Sequence, residues 1–167
     1  MTIGEAFSAD GYITDQDAFE SLRYRTIPAS HNGCGPIAAY NLLHFLGIGT
    51  PWQDVFAEMD GMHRLRVPGP TLMVVMRAYL DRHVPGIRET AGREEALEAA
   101  RHSLAGIVRY REKMEPHFIS YLRVAEGDFR FFNVADGLED CRMSMEQFGK
   151  EHCPRGTVIV FTIPDGE

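Results

Sequence analysis

The sequence predicts an α+β chain, with helices in roughly its first hundred residues and an antiparallel sheet after them. Three observations carry this. Apolar residues between Pro36 and His102 fall in helix-length runs bounded by proline, threonine and glycine. From Leu104 onward the runs become short and rich in β-branched and aromatic residues. Glu126-Gly127-Asp128 then separates two of these runs as a hairpin turn. A length of 167 residues, with no repeat, low-complexity stretch or linker, predicts one domain over 1–167.

The first ~25 residues read as irregular or marginally helical, with a weak amphipathic pattern over Ile13–Leu22. Pro36 suits the first turn of a helix, where its missing N–H costs nothing. Ile37, Ala38, Leu42, Leu43, Phe45 and Leu46 then supply apolar residues until Gly47 closes the segment, which should be the most buried helix. A second helix is expected over Pro51–Met59 with Thr50 as its cap. A third is expected over Leu72–Arg82 after Thr71, ending before Pro85, and a fourth over Arg93–His102. Leu104–Tyr110, Phe118–Val124 and Phe129–Val134 read as strands. Ser144-x-x-Gln147 matches a capping box for a short helix reaching Glu151. The continuous apolar run Thr157–Ile163 reads as a central closing strand.

Composition removes several function classes. With 24 acidic and 17 basic residues the formal net charge is -7, and the basic residues form no run that would neutralise a phosphate backbone. Neither nucleic acid nor an anionic membrane is an expected partner; the oligomeric state is not written in the chain. No stretch approaches the roughly 20 apolar residues of a membrane span, and the acidic, glycine-broken N-terminus lacks a signal pattern. Three cysteines, an odd number without an export signal, predict reduced thiols and a cytoplasmic location.

Among those cysteines, Cys34 is the candidate nucleophile. In Asn32-Gly33-Cys34-Gly35-Pro36 it stands at the start of a helix, where unpaired N–H groups and the dipole favour a thiolate. The flanking glycines leave room beside the sulfur for a carbonyl. Cysteine is also commonly a small buried residue, and that reading competes for Cys34 taken alone. His117 shifts the balance, because it begins an apolar strand after Glu115-Pro116 and can face a cleft as the base a thiol needs. Cys141 and Cys153 read as packing thiols. His31-x-x-Cys34 with either of them does not match a structural zinc spacing, so no metal and no cofactor is expected.

The run His31-Asn32-Gly33-Cys34-Gly35-Pro36-Ile37-Ala38-Ala39-Tyr40-Asn41-Leu42-Leu43 resembles the nucleophile region of the C39-like, bacteriocin-leader-cleaving branch of the papain-like cysteine peptidases. Pro116–Gly137 resembles the histidine hairpin of the same family: a His-Phe strand, a glycine-containing turn, a second strand, then Asp or Asn. The resemblance covers about a quarter of the chain. It implies a papain-like cysteine proteinase fold whose central helix starts at Cys34, with Cys34 as nucleophile, His117 as general base and acid, and Asn133 as the acceptor that orients His117. It also implies a peptide or small amide as the substrate. Asp136 competes with Asn133, since a tight hairpin about Glu126-Gly127 sets it opposite His117, whereas a bulged turn favours Asn133. The family places a glutamine donor for the oxyanion six residues before the cysteine, where this chain has Pro28, which offers no donor. Loss of one such donor costs about 10²–10³ in rate. Asn32 is a side-chain amide near enough to replace it, or else a simple turn residue. Two readings therefore stand beside a cysteine hydrolase: a catalytically impaired domain that binds peptides, and a cysteine acyltransferase.

Overall fold

The computed structural model describes residues 1–112 and 115–165. Two 3₁₀ turns, Ile3–Ala6 and Gln16–Phe19, open the chain. A miniature hairpin of β1 (Arg23–Tyr24) and β2 (Ile27–Pro28) follows, and its turn residues Arg25 and Thr26 both take positive φ, 49° and 74°. Next come α1 (Ala29–Asn32), α2 (Cys34–Phe45), α3 (Trp52–Met62) and α4 (Met73–His83). The remainder is β3 (Arg88–Ala91), α5 (Arg93–Arg101), β4 (Ser103–Glu112), β5 (Glu115–Ala125), β6 (Asp128–Phe132), β7 (Asp140–Met143), α6 (Met145–His152) and β8 (Ile159–Pro164). The six-stranded sheet has the order β3-β8-β4-β5-β6-β7 and every pairing is antiparallel. No described helix is long and apolar enough to cross a membrane.

Alternation along the strands divides the apolar residues between two cores. Ala105, Ile107, Phe118 and Phe161 point to the face covered by α2, α3 and α4, where they meet Leu42, Leu43, Phe56 and Tyr79. Val108, Tyr110, Ile119, Tyr121, Phe131 and Val160 point to the opposite face, beneath α5 and α6, with Phe148 stacked on Phe131 at 4.6 Å. Covered on both faces, β8 carries the near-continuous apolar run that marks a buried strand, and it lies inside the sheet as expected.

Differences from the sequence expectation have local causes. The helix expected from Pro51 begins at Trp52, with Pro51 as cap in place of Thr50. Ile13–Leu22 holds a single 3₁₀ turn, because its apolar residues pack one by one against the helical core and form no continuous stripe. Four strands went unpredicted: β1 and β2, each too short to show alternation, β3, an exposed Arg-Glu-Thr-Ala edge, and β7, whose Asp-Cys-Arg-Met carries little β propensity. The Ser144 cap is present, its hydroxyl accepting from the Gln147 N–H at 3.1 Å.

Two long-range polar ties fix the N-terminal segment. Asn41, buried on α2, accepts from Ile13 N–H at 2.8 Å through its Oδ1. Its Nδ2 donates to the Ile13 carbonyl at 2.9 Å and to Ser120 Oγ at 3.0 Å. Arg130 forms ion pairs with both Asp10 and Asp140 while its guanidinium lies over Tyr12 and Phe132. The segment before β1 is thereby held against β5 and β6, and that brings Gln16 to the site.

Candidate functional site

Cys34 opens α2, but the helix end is not bare. The short helix α1 runs into it, Gly33 N–H bonding the Ala29 carbonyl at 2.7 Å and Ile37 N–H bonding the Gly33 carbonyl at 3.1 Å. The glycines serve packing as much as access. A Cβ on Gly35 would fall 2.2 Å from Thr71 Oγ1, and one on Gly33 would fall 2.6 Å from the Ala29 carbonyl. The room expected beside Gly35 is thus filled by Thr71, whose hydroxyl also bonds the buried Tyr24 hydroxyl at 2.6 Å. Cys34 is 4% exposed and lines a cleft of about 560 Å³ together with His117, Asn133, Gln16 and Asn32.

Burial pushes the Cys34 thiol up. A hydrogen bond and the charge of the His117 ring, with main-chain hydrogen bonds at Phe118 and Gly35, pull it down and prevail, so the thiol is held below its ordinary value. The other two cysteines go the other way. Burial raises Cys153 to about 11 and raises Cys141, which also sees the carboxylates of Asp140, Glu139 and Glu151. The three cysteines are free thiols. Among the described residues no group of three or more His, Cys, Asp and Glu side chains is arranged to hold a metal ion.

His117 lies directly across the β4–β5 ladder from Tyr110, whose ring meets the imidazole edge-on at 5.7 Å. The ring's Nε2 lies 2.8 Å from the Asn133 main-chain carbonyl. The same ring hydrogen-bonds the Cys34 thiol. Asn133 therefore reaches His117 through its backbone and not through its amide, which corrects the sequence expectation. The geometry follows from the hairpin. From Arg123 to Ser120 the β5–β6 register pairs Arg123 with Phe129 and Ser120 with Phe132, after a shift beside the turn at Ala125 and Asp128. Asp136 consequently does not stand opposite His117. The ladder stops at Phe132, and Asn133 takes a left-handed φ of 59° that turns its carbonyl toward the imidazole. Asparagine tolerates that conformation better than most side chains.

The Asn133 amide is engaged elsewhere. Its Oδ1 accepts from Gln16 N–H at 3.2 Å and its Nδ2 donates to Gln16 Oε1 at 3.0 Å. Gln16 Nε2 in turn donates to the Ser30 carbonyl at 2.8 Å. Gln16 thus links the loop after β6 to the turn that leads into Cys34. Sequence reasoning missed it, because its signal is a contact spanning most of the chain and no local motif marks it. Asn32 is also corrected: its Nδ2 donates to the carbonyls of Tyr24 (2.8 Å) and Gly69 (2.9 Å), which leaves no amide hydrogen for an oxyanion. Pro28 ends β2 and caps α1, contributing no donor. His31 is exposed on the cleft rim.

No protein-family model matches the chain, and no curated protein matches it. Among solved structures, the peptidase domain of Streptococcus ComA, a bi-functional ABC transporter involved in a quorum sensing pathway, is similar with a TM-score of 0.53 and 14% sequence identity. The match covers 80% of this chain and 93% of that one. At this identity the relation is one of fold: the chain has a papain-like α+β fold, with helices on one side of the cleft and an antiparallel sheet on the other.

Proposed function

We propose that the protein is a cysteine hydrolase that cleaves an amide bond through a thioester on Cys34. What supports this reading is that the ring that hydrogen-bonds the Cys34 thiol also has its Nε2 2.8 Å from the Asn133 carbonyl, beside a cleft of about 560 Å³. The thiolate attacks the substrate carbonyl, and the imidazolium of His117 gives its Nδ1 proton to the leaving amine. Neutral His117 then takes a proton from water, which attacks the thioester and releases the acid and the Cys34 thiol. The Asn133 carbonyl fixes the ring by accepting from Nε2–H throughout. As a neutral acceptor it stabilises the imidazolium less than a carboxylate would.

Gln16 answers the missing glutamine before the cysteine. Its Nε2 carries a second hydrogen beyond the one given to Ser30, it lines the cleft, and we assign it to the oxyanion together with the Cys34 N–H. Loss of the family's position at Pro28 thus leaves the hydrolase reading in place, ahead of an impaired peptide-binding domain. Acyl transfer would use the same thioester with an amine in place of water.

The test is the pH dependence of Cys34 modification by a thiol-directed acyl probe, read by mass spectrometry. Because His117 holds the thiol below its ordinary value, wild-type labelling should persist as the pH falls below that value. In His117→Ala burial is opposed only by the main-chain hydrogen bonds at Phe118 and Gly35, so labelling should require more alkaline pH and fall on the order of 10²-fold at neutral pH. A profile identical in wild type and His117→Ala removes the catalytic assignment.

A further inference from the structure

The rim of the cleft is one-sided in charge. Asp15, Asp17, Glu115, Asp136 and Glu139 line it, and among the described residues no Lys or Arg does. These carboxylates come from separated parts of the chain: the second 3₁₀ turn, the start of β5, and the loop 133–139 after β6. Burial raises the Asp17 carboxyl above its ordinary value, and Asp15, Asp136 and Glu139 are close enough to add to that rise, while His31 supplies the opposing charge. Like charges gathered with only a histidine opposing them among the described residues cost stability, which a ligand of opposite charge relieves.

A second, independent feature points the same way. Asn32 is 5% exposed, lines the cleft, and spends both amide hydrogens on main-chain carbonyls. Its Oδ1 is buried without a partner among the described residues. A buried acceptor without a donor costs free energy until one arrives. Carboxylates and an orphan amide oxygen are all acceptors, so the wall of this cleft calls for a ligand rich in donors.

Resting on the cysteine hydrolase reading, we propose that the cleft selects substrates with a Lys or Arg side chain beside the scissile amide, the cationic group held by Asp17, Asp136 and Glu139. The charge then acts twice. It steers a basic segment to an acidic protein, and it fixes the register of the peptide across Cys34.

The experiment uses two fluorescent peptides of equal length, alike except that arginines in one replace glutamates in the other. Binding to the Cys34→Ala protein is measured by anisotropy at low and at high salt. Acyl probes of the same two sequences are measured for His117-dependent labelling of wild type. At low salt the basic peptide should bind at least about tenfold more tightly. That preference should shrink with salt and vanish in Asp17→Asn/Asp136→Asn/Glu139→Gln. It should survive Asp54→Asn/Glu94→Gln/Glu126→Gln, which removes equal charge outside the cleft. The single variant Asp136→Asn, which should keep part of the preference, stands in if the triple variant fails to fold. Equal binding of the two peptides, or a preference that follows net charge in both triple variants, overturns the substrate class even if Cys34 is reactive. A retained preference without His117-dependent labelling upholds the basic-ligand site and overturns the hydrolase reading instead.

Discussion

The two walls of the cleft are built by different means. On the thiol wall, Cys34 is fixed by what is close in sequence and by steric fit. Helix α1 feeds directly into α2, Gly33 presses on the Ala29 carbonyl, and Gly35 is filled by Thr71 with Tyr24 behind it. On the imidazole wall, His117 is fixed by one main-chain carbonyl at the end of a ladder. That carbonyl is aimed by a left-handed residue whose side chain is held from the far N-terminus by Gln16. Packing enforces position by excluding alternatives at short range. The polar ties of the second wall are few and directional, so removing one should change aim before it changes stability.

Substitutions at three positions can break or sharpen that contrast. The largest effect is expected at Gly35→Ala, which sets a Cβ 2.2 Å from Thr71 Oγ1 and 2.6 Å from Thr71 Cβ in a packed region. Overpacking of this kind costs about 1–3 kcal/mol. Thermal unfolding should therefore show a drop of several degrees, accompanied by loss of Cys34 labelling. Unchanged melting would mean the thiol wall yields, and the contrast would fail.

At Asn133 the backbone and not the amide faces His117, so two replacements should diverge. Asn133→Gly keeps the carbonyl and accepts φ 59° at no steric cost, and it should retain Cys34 reactivity within about tenfold of wild type. Asn133→Val opposes a left-handed backbone, with strain of about 1–3 kcal/mol, and should lose far more. Were the side-chain amide the true acceptor, both would be equally damaging. Comparison of their labelling rates over a range of pH decides it.

The smallest stability effect is expected at Gln16→Ala. It removes a donor to Ser30 and an acceptor for Asn133, exposed enough at the cleft for water to replace them in part, and the loss should be about 1 kcal/mol or less. Its labelling rate should fall at least tenfold even so, with the pH profile shifted toward that of His117→Ala. A loss of rate strictly proportional to loss of folded protein would make Gln16 a structural tie only.

Legibility follows the same division. The run around Cys34, the helix it begins, the β5–β6 hairpin and the Ser144 cap could all be read, because each depends on residues within a few positions of one another. The acceptor for His117 was named as Asn133, but its chemistry was misread. A shift of one position near Gly127 changes what faces His117, and sequence does not record where a ladder stops. Asn32 stayed open between an oxyanion donor and a turn residue for the same reason: the carbonyls that occupy its amide belong to Tyr24 and to Gly69, which arrives from a different loop.

By itself, then, the sequence determined the α+β class, the thiol at the head of a buried helix and the histidine strand. Those follow from periodicity, capping and turn chemistry, which act over one or two turns of chain. Tertiary structure alone decided that the Asn133 carbonyl holds the ring, that Gln16 lies in the cleft, and that carboxylates from three distant segments meet there. Such arrangements depend on contacts between segments far apart in the chain. Only the packing of two cores across one sheet brings those segments within hydrogen-bond reach.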